Sequence, residues 1–571
     1  MKTNFFRINL FILILFYIFL NTTLGFSKIK DIYAKKNISS YFYGLISLKN
    51  DNDEIGLDFL KNVEDLKDIH DPYLKELTFA FIKGNKVQEA INTLKKIDED
   101  SINFYEANLL LGVFYISQQN YKKASKKFNL IVENKKFFDF EKLIAKILLN
   151  YSAIFEEKKI NDTQLFFDLH NDYKSFVTIQ EAFINSYLDN DNVDISFLKL
   201  INSTEADYDR YVYFYVNYLV RKNRYKDALY VIEENTDVLD NNLLLDQTKH
   251  WLKKKEYKKI VKLFSFKNPK DIISEFFYLI SNLYASEQIF DKSNFYLNLS
   301  FYLNPKFISN NFLLAENYFN TGNFKKSEKI YKTFNKKTQI YYSYSLRKMA
   351  LIKSKIEGDK SGLEYFEKKF NALPNPMIKD FFEIANFYKR FEKYEESITY
   401  YTKVLELLDK EHPFYPLILY RRGGSYERIG KLEESDEDLL YSLKLYPNDP
   451  YVLNYLAYSW LERNYKLDES MKMLLKAYEQ EPQDPYIVDS VGWAYFMLKK
   501  YVEAEKYIRR AVQLMPEDPI VNDHYADILW KLNRKVQANY FWKYTLTLEN
   551  IEIEMKKKIK KKLIFGLEEF S

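Results

Sequence analysis

Residues 485–516 read PYIVDSVGWAYFMLKKYVEAEKYIRRAVQLMP. Gly492 and Tyr495 lie one helical turn apart, and Ala504, Ile508 and Ala511 stand at offsets 0, 4 and 7, the period of one helix face. The stretch predicts two helices of about a dozen residues joined by a short turn. A small residue on each helix lets the two axes approach, and the large residue three positions on fills the gap beside them. Pro485 ahead of the first helix is tolerated because first-turn N–H groups have no partner in the helix.

The unit recurs. Gly423, Ala457, Gly492 and Ala526 are separated by 34, 35 and 34 residues, and Pro416, Pro450, Pro485 and Pro519 by the same steps. A second small-residue series, Ser435, Ser470, Ala504 and Ala538, follows twelve or thirteen residues behind the first. One hairpin cannot bury its own apolar face, but stacked copies can. The expected fold is therefore all-α: an α-solenoid of stacked antiparallel helix hairpins.

Composition agrees with that reading. Gly 13 and Pro 13 in 571 residues are too few for a barrel or sandwich with frequent turns, while 47% hydrophobic with 29% charged residues excludes global disorder. Lys+Arg 85 against Asp+Glu 80 leaves +5, which gives no reason to expect nucleic acid. Cys 0 removes disulfides, thiolate metal sites and a cysteine nucleophile. The five histidines, His70, His170, His250, His412 and His524, are too scattered for a paired-histidine metal motif. No catalytic residue, cofactor site or metal site is indicated. Gly424 to Lys431 superficially suggests a phosphate loop, but five residues separate Gly424 from Gly430, and Leu432 stands where a Ser or Thr is needed.

The repeats resemble the tetratricopeptide repeat family. Its pattern is carried by Val491, Gly492, Tyr495, Ala504, Ile508, Ala511 and Pro516, and by Leu456, Ala457, Trp460, Ser470, Leu474, Ala477 and Pro482. Another copy matches at Gly423, Tyr426, Ser435, Leu439, Ser442 and Pro447, with Arg422 in place of the apolar residue. Weaker copies include Ala385, Tyr388, Ser397 and Tyr401, and, far upstream, Gly112, Tyr115, Ala124 and Phe128.

The expected organisation is a signal peptide over 1–25, degenerate hairpins over 26–273, repeats over 274–374, strong repeats over 375–550, and a basic capping helix over 551–571. Lys2 and Arg7, the apolar run Ile8 to Leu20 and Thr23-Leu24-Gly25 predict export with cleavage after Gly25, an uncleaved anchor being the alternative. Asn371 to Pro376 is the expected break within the repeats, with Asp189 to Asp194 a second candidate.

What the resemblance implies about function is a concave surface lined by the first helix of each hairpin. Projected outward from the packed positions, that face carries Tyr451, Asn454, Tyr458 and Leu461; Tyr486, Asp489, Trp493 and Phe496; and Asp523, Asp527 and Trp530. Aromatics interleaved with three carboxylates would suit an extended protein segment with basic and apolar side chains. The family's best-known clamp holds a terminal carboxylate with Lys, Arg and Asn, a charge opposite to these positions. The terminal helix places Met555, Ile559 and Leu563 on one face and six lysines, Lys556 to Lys562, on the rest, which suits a cap or peripheral contact with an anionic membrane.

The first functional expectation is a non-enzymatic, protein-binding scaffold of a bacterial periplasm or cell envelope. A scaffold for polysaccharide export or cell-wall assembly, with aromatics stacked on sugars, is the second. An enzyme with its site in the N-terminal half is the third.

Overall fold

The computed structural model describes residues 35–567 apart from 51, 69, 99–101, 161–173, 204–207, 238, 240–241, 374 and 550. The expected signal peptide and Pro374 lie outside the described residues. Among the described residues there are thirty α-helices, two short 3₁₀ segments and no strand. None of these helices is long and apolar enough to cross a membrane.

The chain divides into two compact units, 1–352 and 353–571. The division falls within the continuous helix Gln339–Glu357, ahead of the expected break at Asn371 to Pro376; that stretch lies inside the second unit, between helices Asp359–Asn371 and Ile378–Arg390.

In the second unit the hairpins run Ile378–Arg390 with Tyr394–Leu407, Tyr415–Arg428 with Leu432–Leu445, Pro450–Glu462 with Leu467–Gln480, Pro485–Met497 with Tyr501–Leu514, and Pro519–Lys531 with Lys535–Thr545. The start signal of the last three is an aspartate before a proline. Asp449, Asp484 and Asp518 each accept hydrogen bonds from the backbone N–H groups two and three residues on, the N-cap geometry that satisfies first-turn donors. The stop signal is a left-handed residue at the turn: Gly430, Asn464, Lys499 and Asn533 all have φ between 52° and 77°. The closing bond at one turn runs from Lys500 N to Tyr495 O at 2.8 Å, which satisfies a carbonyl the helix leaves unpaired.

The small residues sit where the helices touch. A Cβ on Gly492 would fall 2.5 Å from Ile508 Cγ1 and 3.0 Å from Ile508 N, and one on Gly423 would fall 3.1 Å from Leu439 Cγ. Gly112 in the first unit meets Phe128 in the same way, at 2.3 Å. Buried clusters in the second unit link neighbouring hairpins, for example Val488, Ala511 and Val521. Each repeat thus contributes to two small cores, the one-dimensional arrangement of a solenoid.

The first unit adds a closure to this stacking. Its core is one cluster running from Tyr41 to Phe307, because helix Asp71–Lys83 packs against helix Phe290–Leu303. Phe79 stacks on Phe295 at 6.0 Å, Asn298 Nδ2 donates to the Ile82 carbonyl at 2.8 Å, and the buried Lys83 ammonium donates to Asp291 at 2.9 Å. Deeper in, Arg210 donates both arms of its fork to the buried Glu275 at 2.7 and 2.8 Å and lies 3.6 Å over the Tyr278 ring. A buried charge needs such a partner to be tolerated.

Candidate functional site

The first helices of the last four hairpins form one face of the second unit, on which residues of neighbouring repeats touch. Trp493 Nε1 donates to Glu462 Oε1 at 3.1 Å. The His524 and Phe496 rings lie nearly parallel to Trp493 at 3.9 and 4.6 Å. Two parallel rings this close on one side would overlap, so they take opposite faces of the indole and leave its edge outward.

Each projected carboxylate is paired within the chain. His524 Nδ1 lies 3.0 Å from both oxygens of Asp489. Lys562 Nζ, from the terminal helix Ile553–Phe565, reaches all four oxygens of Asp523 and Asp527 at 2.7 to 2.9 Å. Trp542 Nε1 also donates to Asp527, at 2.9 Å. Open carboxylates were expected here; the charges are instead neutralised by a histidine next to the projected stripe and by a lysine one repeat downstream. Burial lowers the His524 pKa, but Asp489, assisted by Asp523 and Asp527, outweighs it and raises the imidazole above its ordinary value. Burial, followed by the Asp523 charge, pushes the Asp527 carboxyl up to about 6 against the opposing pull of Lys562.

The terminal helix explains this placement. Helix starts at Pro450, Pro485, Pro519 and Ile553 step by 35, 34 and 34 residues, so the last helix stands where the first helix of another repeat would begin. Ile559 is fully buried in the cluster of Trp542, Leu529 and Ala538, while Lys556, Lys557, Lys558, Lys560 and Lys561 face solvent. Beyond it Gly566, at φ +79°, brings backbone against Trp530: a Cβ there would sit 2.3 Å from Trp530 Cζ2. Trp530 also packs on Trp542 at 5.3 Å.

Of the projected residues, Tyr451 and Tyr486 are 51% and 59% exposed. Asn454, Tyr458, Trp493 and Phe496 are half-buried, and the Asn454 amide oxygen is buried with no hydrogen-bond partner. Asp489, Asp523, Asp527 and Leu461 are buried. The residues open to a partner are thus aromatic and neutral, centred on Tyr451, Tyr458 and Tyr486.

The same register continued upstream places Gly424 and Asn386 opposite Trp493, and Glu427 and Lys389 opposite Phe496. Arg421 stands at the position of His524. This end of the face escaped the projection because the projection stopped at Tyr451, although the 34-residue step from Trp493 through Tyr458 reaches Gly424 directly.

Residues 376–550 match the model of the tetratricopeptide repeat family, and the chain carries tetratricopeptide repeats over that span. No curated protein matches the chain. Among solved structures, a thermophilic TPR protein of Thermus thermophilus is 17% identical, with 33% of this chain and 99% of that one covered at a TM-score of 0.29. MamA from Desulfovibrio magneticus is 19% identical, covering 30% and 94% at 0.26. The APC/C hetero-tetramer Cut9-Hcn1 is 15% identical, covering 95% and 92% at 0.33. Repeats of this family commonly serve as protein-interaction scaffolds, and the fold is typically non-catalytic.

Proposed function

We propose that this tetratricopeptide-repeat chain is a non-enzymatic scaffold of the bacterial cell envelope that holds an extended segment of a partner protein along the first-helix face of its second unit. The observation that carries the reading is the pair Tyr451 and Tyr486, equivalent residues of adjacent repeats, each more than half exposed beside the half-buried Tyr458 and Asn454. Large rings held by a rigid helix face cost little side-chain entropy on binding, which suits them as anchors. The envelope location rests on Lys2, Arg7 and the apolar run to Leu20. Stacking of sugars on Trp493 is disfavoured, since both faces of that ring are occupied by His524 and Phe496.

Affinity capture from envelope extracts with the intact chain and with Tyr451→Ala/Tyr486→Ala tests this. A protein retained by the first and lost by the second is expected; equal retention by both contradicts the reading.

A further inference from the structure

At the upstream end of the same face, three cations gather with little to neutralise them. Lys389 lies in the last turn of helix Ile378–Arg390, and Arg421 and Arg428 lie on the next first helix, Tyr415–Arg428. Lys389 Nζ donates to the Arg421 carbonyl at 3.1 Å, and no carboxylate of the described residues lies within ion-pair distance of either Lys389 or Arg421. Arg421 Nη1 reaches the neutral Asn386 amide oxygen at 3.4 Å, its guanidinium stands 5.7 Å over Phe382, and its Nε is buried with no partner. Glu427 is the nearby acid, and it is engaged by the Tyr455 hydroxyl at 3.1 Å and by Arg428 at 3.7 Å. Burial, then Arg421 and Arg428, push the Lys389 ammonium down to about 8. Buried, unpaired donors of one sign are costly unless something supplies the missing charge.

The glycine between them leaves room for it. Gly423 is explained by its contact with Leu439, but Gly424 faces the other way. A Cβ on Gly424 would lie 3.1 Å from Lys389 Nζ and 3.3 Å from the Tyr455 hydroxyl, and φ there is an ordinary helical one, so no turn requires glycine. A glycine inside a helix is unfavourable, and here its missing side chain opens a space bordered by an ammonium and a phenol.

We propose that Lys389, Arg421 and Tyr455, grouped around Gly424, form an anion site that receives a carboxylate of the bound segment, so that the partner of this face is an acidic polypeptide. The inference rests on the scaffold reading and specifies its ligand. The downstream acids, Asp489, Asp523 and Asp527, offer a basic segment nothing, being already paired. The upstream cations offer an acidic segment charge-assisted hydrogen bonds, and the tyrosines between the two ends supply apolar contact. The carboxylate is an Asp or Glu side chain or a chain terminus.

Labelled decapeptides of alternating Leu and Glu, with free and with amidated C-termini, and of alternating Leu and Lys, are titrated by fluorescence anisotropy at low salt. The full chain is compared with Lys389→Met, Arg421→Gln, and Gly424→Ala, which fills the space without changing charge. The Glu peptide should bind at least about tenfold more tightly than the Lys peptide and lose about tenfold or more in each variant, with circular dichroism confirming that the variants fold. A loss on amidation identifies a terminal carboxylate and no loss a side chain; both support the site. Equal or tighter binding of the Lys peptide, unchanged binding by all three variants, or no binding of the Glu peptide overturns it. Binding that is lost in Tyr451→Ala/Tyr486→Ala but unchanged in the three upstream variants overturns the anion site while leaving the scaffold reading standing. An envelope partner retained by the tyrosine variant overturns the scaffold reading itself.

Discussion

Lys562 donates to both Asp523 and Asp527, with its side chain 18% exposed against 13% and 5% for the two carboxylates. A single lysine from the terminal helix thereby closes the acidic end of the repeat stack. Removing it strands two buried carboxylates, whereas removing acid and base together does not.

Lys562→Met should therefore destabilise the second unit by on the order of 2 to 4 kcal/mol, the range for breaking a largely buried pair. The triple variant with Asp523→Asn and Asp527→Asn should recover part of that loss. Urea unfolding followed by tryptophan fluorescence reads both. Additive losses, with no recovery, would mean that the contacts are energetically idle.

Gly492 meets Ile508 more tightly than Gly423 meets Leu439, and its contacts include a backbone nitrogen that cannot swing aside. Gly492→Leu should cost about 1 to 3 kcal/mol or more by overpacking, and Gly492→Ala should cost more than Gly423→Ala. Identical denaturant midpoints for Gly492→Leu and the parent would remove Gly492 from the packed interface.

Stability should also report the two raised pKa values. Asp527 lies above its ordinary 3.8, at about 6, and His524 lies above 6.5. The folded chain binds more protons than the unfolded one in this window, so these groups' contribution is complete below about pH 4 and is lost as pH rises through 6 and beyond 6.5. The midpoint difference between the parent and His524→Gln/Asp527→Asn should shrink or change sign from pH 4.5 to 7.5. A difference that is constant with pH would contradict the assignment.

In the first unit, Asn298→Ala leaves the buried Ile82 carbonyl without the donor that Asn298 supplies, which should cost about 1 to 3 kcal/mol. Hydrogen exchange should quicken in helices Asp71–Lys83 and Phe290–Leu303 together. Faster exchange in only one of them would show that the closure is not cooperative.

How far these features were legible follows from distance along the chain. The hairpins were legible because their cause is local: Asp484-Pro485, Gly492 with Ile508, and a turn residue at Lys499 all act within one repeat. The pairing of Asp527 with Lys562 spans one repeat, and only the step from Pro519 to Ile553, read as a further helix start, hints at it. The contact of Lys83 with Asp291 spans 208 residues and leaves no periodic trace. Lys389 and Arg421 obey the register but lie outside the aromatic stripe that drew the projection. Exposed Tyr451 and buried Leu461 fall on one projected stripe, since a helical projection ranks faces and does not know which neighbour covers them.

Photo-crosslinking in intact cells tests the central claim most directly. A benzoylphenylalanine is placed at Tyr451 or Tyr486, on the first helices, and in control strains at Val502 or Val536, which are 72% and 85% exposed on the second helices. One common envelope protein should be captured from both tyrosine positions and from neither valine position. Capture from the valine positions alone, or of the same protein from all four, would contradict a partner held on the first-helix face.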